Sequence, residues 1–237
     1  MPASAATLRA FIEETYRQGR VEGENGRVFE LFPIGITQPA GELLRDIVVQ
    51  AAPVRCLETG LAYGLSALFI CEALLRSGQP EVRHCAIDPR QGWRFDNAGL
   101  RSLRRAGLGD LVEFHREDSQ LVLPRLLAEG RRFDFAFVDG DHNYDAVFVD
   151  LYFLHRLMAP GGLIVVDDLW MPSVRTAVRF FETNLGYRCE GVGEAAPPAA
   201  RGWRGLFRRP ERPARMGLLR RPEKTEERAW DHFIPFA

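Results

Sequence analysis

The chain has 237 residues, of which 46% are hydrophobic and 27% charged, with a formal charge of −1; such a composition excludes wholesale disorder and allows one large domain with a true core. Its four cysteines, Cys56, Cys71, Cys85 and Cys189, are scattered without a C-x-x-C pair, which excludes a zinc ribbon or disulfide framework and fits a reducing compartment. The first residues lack the basic start and apolar core of a signal peptide, and no run reaches the ~20 apolar residues of a membrane span, so a cytoplasmic protein is expected.

Leu8, Phe11 and Ile12 recur at helical spacing, and after "GRVFELFPIGITQPAG" a second amphipathic segment, "ELLRDIVVQAA", follows. Residues 1–52 are therefore expected to form N-terminal helices that cap the main fold. From residue 53 short apolar runs alternate with helix-like segments: "VRCLE" (54–58), "VRHCAID" (82–88), "LVEFHRE" (111–117), "FDFAFVD" (133–139) and "GLIVVDD" (162–168). In the segment after Asp141, Val147, Leu151, Leu154 and Met158 repeat at helical intervals. Regular alternation of this kind predicts right-handed βαβ units, hence a doubly wound α/β domain over 53–237 with a mostly parallel sheet. "SVRTAVRFFETNLG" supplies a further helix before a strand near "YRCEGVG". Residues 194–214, rich in Ala, Pro, Gly and Arg, read as a long, mobile or functional loop. "MGLLRR" follows as a last strand, and the aromatics of "AWDHFIPFA" suggest a docked tail.

In an open parallel sheet, ligands bind outside the carboxyl ends of the strands. Here those ends carry Glu58, Asp88, Asp118 just past the third run, Asp139 with Asp141, and Asp167 with Asp168. Any one of them could merely cap a helix. Five strand ends that all carry acid repel one another and call for a cation, which disfavours a ligand gripped mainly by phosphate. The turn "ETGLAYGLS" sets Gly60 and Gly64 between strand and helix, but Ala62 stands where G-x-G-x-x-G requires its second glycine. Together with Asp88, placed to accept hydrogen bonds from ribose hydroxyls, the turn points to a ligand containing a nucleoside.

Glu58, Gly60, Gly64 and Ser66, then Asp88, then F-V-D-G-D-H-x-Y and "LMAPGGLIVVDD", resemble class I S-adenosylmethionine-dependent methyltransferases, in particular bacterial small-molecule O-methyltransferases and, more distantly, catechol O-methyltransferases. The likeness covers about residues 36–192. It implies a Rossmann-like seven-stranded sheet with the last strand antiparallel. It further implies that Glu58, Gly60 and Gly64 surround the methionine end of the cofactor, that Asp88 binds the ribose, that Asp118 and Ser119 lie near the adenine, and that Thr59, Leu61, Ser66 and Pro89 are further cofactor contacts. Asp139 and His142 complete that expected contact set. Metal-dependent members hold Mg²⁺ at positions matching Asp139, Asp167 and Asp168, where the ion polarises the acceptor hydroxyl.

His142, with an ordinary pKa near 6.5, suits removal of a hydroxyl proton. Asp139 and His142 are thus the expected catalytic pair, although His142 could equally be a first-turn helix residue and Asp141 could replace Asp139 as ligand. Trp170 and Met171 could wall an acceptor pocket or belong to the core. The expected activity is methyl transfer to a hydroxyl of a small molecule such as a sugar, a catechol or a natural product. Rival readings are an NAD-dependent oxidoreductase, disfavoured by the glycine spacing, and a non-catalytic cofactor- or RNA-binding protein using residues 201–228, where ten Lys or Arg face four Glu. That stretch shows no nucleic-acid module and reads as a solvated loop, a substrate lid or a dimer contact. The N-terminal amphipathic helix offers a surface for a homodimer.

Overall fold

The computed structural model describes residues 4–194, 214–223 and 228–236. Its elements in order are α1 (Ala5–Gln18), β1 (Arg20–Glu22), β2 (Val28–Glu30), α2 (Gln38–Ala51), β3 (Arg55–Thr59), α3 (Leu65–Ser77), β4 (Arg83–Ile87), α4 (Ala98–Arg105) and β5 (Val112–His115), followed by α5 (Ser119–Ala128), β6 (Phe133–Val138), α6 (Tyr144–Leu157), β7 (Met158–Val166), α7 (Pro172–Leu185), β8 (Cys189–Glu194) and β9 (Ala214–Arg220). Seven strands form one sheet in the order β5-β4-β3-β6-β7-β9-β8, parallel from β5 to β7, with β9 antiparallel to both its neighbours. This is the expected Rossmann-like sheet with its antiparallel last strand.

The strand order explains where a ligand can sit. The chain winds outward from β3 through β4 to β5, then returns to lay β6 on the other side of β3. The crossovers leave in opposite directions at β3 and β6, and a crevice opens between their carboxyl ends. Consecutive side chains of β6 point to opposite faces: Phe135 and Phe137 join the core layer that includes Leu8, Leu44 and Phe69, while Ala136 and Val138 join the layer that includes Val122, Leu151 and Phe181. Helices α1 to α3 thus cover one face and α5 to α7 the other.

The N-terminal segment packs directly on this sheet domain. Ser4 and Thr7 close a reciprocal capping box at the start of α1. Arg9 then donates from Nε and Nη2 to the buried Glu72 of α3, at 3.0 and 2.8 Å. Between α1 and α2 the chain makes a two-stranded antiparallel hairpin, β1 with β2, where only a glycine-containing spacer was expected. Its signal was short alternating runs around Asn25-Gly26, a turn pair with a mechanism.

The end of α6 also differs from the periodicity. Met158 still donates its N–H to Leu154 O, but its own backbone is extended and opens β7. Pro160 stops the helix from running on, since it keeps Ala159, the residue before it, out of the helical region. Expectations about residues 195–213 and 224–227, including most of the basic stretch, lie outside the described residues. The tail is docked in part: Asn184 and the Ile234 backbone exchange two hydrogen bonds, and Phe236 packs edge-on against Phe180, whereas Trp230 is 98% exposed. Among the described residues no helix is long and apolar enough to cross a membrane.

Candidate active site

A cleft of about 1280 Å³ opens at the carboxyl ends of β3, β4, β6 and β7. Pockets for a single drug-sized ligand measure roughly 300–1,000 Å³, so there is room for two small molecules side by side. One wall is the glycine turn. Gly60 adopts φ 91°, and its N–H donates to Ile87 O at 2.9 Å. Ala62 holds φ 43°, a conformation unusual for a residue with a β-carbon. The position of the missing second glycine thus keeps a positive φ, and the strain sits on Ala62.

Asp88 secures that turn. Its Oδ2 accepts from the Leu61 N–H (3.2 Å), the Ala62 N–H (2.8 Å) and Gln91 Nε2 (2.9 Å), while Oδ1 accepts from the Arg90 N–H at 2.7 Å. Four donors fill about as many lone-pair positions as a carboxylate offers, so a ribose hydroxyl here must share or displace one. Thr59, Gly60, Leu61, Ser66, Pro89, Asp118 and Ser119 also border the cleft. Gly64 and Glu58 do not. Glu58 is fully buried beneath the turn, accepting from Ser66 Oγ at 2.8 Å and paired with His84 Nε2 at 2.9 Å. Its action on any ligand is through the turn it supports.

The opposite wall is the loop after β6. Asp139 N–H donates to Thr59 O at 2.9 Å, which pins this loop to the end of β3. His142 Nε2 lies 3.3 Å from Asp139 Oδ1 and 3.4 Å from Asp168 Oδ2. Its pKa is raised, first by the hydrogen bond with Asp139 and then by the charges of Asp139 and Asp168. Burial pushes the Asp139 carboxyl up, and His142 opposes that. Asp168 is a non-glycine residue at φ 53°, and its Oδ1 accepts from Trp170 Nε1 at 2.9 Å. The left-handed backbone directs this carboxylate to the cleft; Trp170 and Met171 line the same side.

Asp167 is separated from that group. It is 2% exposed, burial pushes its carboxyl up to about 7, and its Oδ2 accepts from Arg215 Nη2 at 2.6 Å. Asp141 is also committed elsewhere: Oδ1 accepts from Asn143 N–H and Nδ2, and Oδ2 from Arg90 Nη2 at 3.0 Å. Both its oxygens are engaged by protein donors, which makes Asp139 the acid facing His142.

Arg90, Arg215 and the segment from Phe32 to Thr37 border the cleft as well, and the strand-end reasoning missed all three. Arg215 was missed because β9 runs antiparallel, so its first residues, not its last, lie at the ligand end of the sheet. Asp150, the seventh residue of α6, does not border the cleft; it is 4% exposed, and burial lifts its carboxyl to about 6.

Residues 57–169 match a family described as a methyltransferase domain. Among curated relatives, a caffeoyl-CoA O-methyltransferase of Stellaria longipes is 30% identical over 149 residues, covering 60% of this chain and 57% of that protein. A rhamnosyl O-methyltransferase of Mycobacterium tuberculosis is 27% identical over 132 residues, 52% of this chain and 49% of that protein. The chain thus spans about half the length of the curated relatives it matches. Among solved structures, an O-methyltransferase from Streptomyces achromogenes involved in tomaymycin synthesis, in complex with SAM, superposes with a TM-score of 0.62 at 21% identity, over 91% of this chain and 89% of that one. An O-methyltransferase from Bacillus cereus in complex with SAH gives 0.61 at 17%, over 91% and 90%. The fold is that of class I methyltransferases.

Proposed function

We propose that this methyltransferase-domain chain transfers the methyl group of S-adenosylmethionine to a hydroxyl of a small organic acceptor. One observation carries the reading: a single open cleft has a strained glycine turn on one wall and, on the other, an imidazole held between two carboxylates, His142 between Asp139 and Asp168. The first wall suits a nucleoside ligand. The second suits a hydroxyl that must lose its proton.

In the transfer, the acceptor oxygen attacks the methyl carbon as the carbon–sulfur bond breaks, and the sulfonium becomes a neutral thioether. The hydroxyl proton passes to His142 Nδ1, the ring nitrogen that Asp139 does not engage, while Nε2 keeps the hydrogen it shares with that carboxylate. Asp139 holds the imidazole through its 3.3 Å contact and stabilises the imidazolium that forms. The acidic wall also favours the cationic sulfonium over its neutral product. Trp170 and Met171 line the same side of the cleft and offer the acceptor an apolar wall.

The acids also fit a divalent cation. Ligand atoms of Asp139, His142 and Asp168 all lie within 4.8 Å of one another, and Asp167 Oδ1 is buried without a hydrogen-bond partner. Mg²⁺ takes oxygen ligands and is commonly held by one or two carboxylates with water. Asp139 and Asp168 would hold it, leaving His142 for the proton and Asp167 paired with Arg215. When bound, such an ion supplies Lewis acidity that lowers the hydroxyl pKa.

The test is calorimetry with S-adenosylmethionine and S-adenosylhomocysteine, followed by transfer of labelled methyl to matched phenols and sugars. Binding of both nucleosides and label in an O-methyl product are expected. Absence of binding by either nucleoside ends the reading.

A further inference from the structure

Arg90 and Asp141 form an ion pair across the cleft, Nη2 to Oδ2 at 3.0 Å. They belong to loops after β4 and β6, the two strands that flank β3. Strands in a sheet are about 4.8 Å apart, so the pair spans two strand spacings above the end of β3, where the Gly60–Ala62 turn opens. Arg90 is fixed at both ends. Its backbone N–H donates to Asp88 Oδ1 at 2.7 Å, and its guanidinium is held by Asp141, which Asn143 in turn orients from the backbone at 3.0 Å.

The side chains of the pair are 34% and 37% exposed. Ion pairs so wet contribute little to stability, so folding alone gives no account of this one. Its position does: a ligand resting on the glycine turn, between Asp88 and the loop of His142, must lie against the Arg90 guanidinium. A planar cation clamped at one edge presents a face on which a purine can stack.

We propose that Arg90, clamped by Asp141, is a nucleoside-binding residue that covers the adenosine half of the cofactor. This rests on the methyl-transfer reading for the identity of the nucleoside. It gives Asp141 a role distinct from proton transfer and metal ligation: Asp141 positions the arginine.

The test is a double-mutant cycle on S-adenosylhomocysteine affinity, measured by calorimetry with wild type, Arg90→Met, Asp141→Asn and the double variant. Each single substitution is expected to weaken binding roughly three- to tenfold, and the double variant to bind no more weakly than the worse single. Adenosine alone, used as a fragment probe, should lose affinity by a similar factor in Arg90→Met. Arg90→Lys, which keeps charge without the plane, should recover only part of the affinity and serves if Arg90→Met melts early. Unchanged affinity in the single variants, or losses that multiply in the double, overturns the proposal. Failure of the wild type to bind S-adenosylhomocysteine would instead sink the methyl-transfer reading.

Discussion

A β-carbon built on Gly60 would lie 2.1 Å from the Asp139 carbonyl oxygen, so the glycine turn and the loop of the candidate base are in backbone contact. Gly60 also holds φ 91°. Substitution by alanine therefore meets a backbone clash as well as conformational strain, and neither can be relieved by a rotamer. Gly60→Ala is expected to lower Tm by at least about 4 °C, roughly 1 kcal/mol or more for a domain of this size, and to weaken S-adenosylhomocysteine binding at least about tenfold. Gly78 is the control. It too has positive φ, 67°, but nothing lies within 4 Å of its added β-carbon, so Gly78→Ala should cost stability without changing ligand affinity.

His142→Gln keeps a hydrogen-bonding side chain but removes the basic nitrogen. Loss of a positioned general base typically costs about 10²–10⁴ in rate. The expected result is a fall of that order in kcat with a much smaller change in cofactor affinity. The active form is the neutral imidazole, and the hydrogen bond with Asp139 raises its pKa above 6.5. The rate should therefore rise with pH through a midpoint above that value. Asp168→Asn removes one raising charge and should move the midpoint down. A pH profile that is flat from 6 to 9 in wild type would exclude His142 as the base.

Divalent-ion binding separates the acids. Asp139→Asn and Asp168→Asn should each weaken Mn²⁺ or Mg²⁺ binding strongly when titrated by calorimetry, whereas Asp141→Asn, whose oxygens already serve Asn143 and Arg90, should leave it nearly unchanged. EDTA is expected to reduce turnover and added Mg²⁺ to restore it. Full turnover in EDTA would leave proton removal to His142 without an ion.

Asp150 links stability to pH. Burial raises its folded-state pKa from 3.8 to about 6, so between those values the folded protein binds more protons than the unfolded chain. Stability should accordingly fall as pH rises from about 4 to about 6, and the penalty should persist above that window. Asp150→Asn removes the titrating group while keeping its shape. The Tm of Asp150→Asn relative to wild type should thus be higher at pH 7.5 than at pH 4; a difference independent of pH would place the proton elsewhere.

The candidate site was only partly legible in the linear text. Asp139, His142 and Asp168 could be named because each stands at a strand end or just after one, and strand ends face the crevice. Glu58 obeyed the same rule yet points inward to His84 and Ser66, because alternate residues of a strand face opposite sides and the rule does not say which. Asp167 and Asp168 are neighbours with opposite fates for a related reason. A left-handed backbone at Asp168 sends its carboxylate to the cleft, while Asp167 stays buried on Arg215.

Hydrophobic period, glycine turns and acids at the strand ends determined the sheet, its helical layers and the end at which chemistry can occur, because these are properties of segments a few residues long. Which carboxylates meet, and which are already neutralised, was decided by the tertiary structure. Arg90 and Asp141 are separated by 51 residues and Asp167 and Arg215 by 48, and an ion pair between such distant positions leaves no periodic trace in the chain.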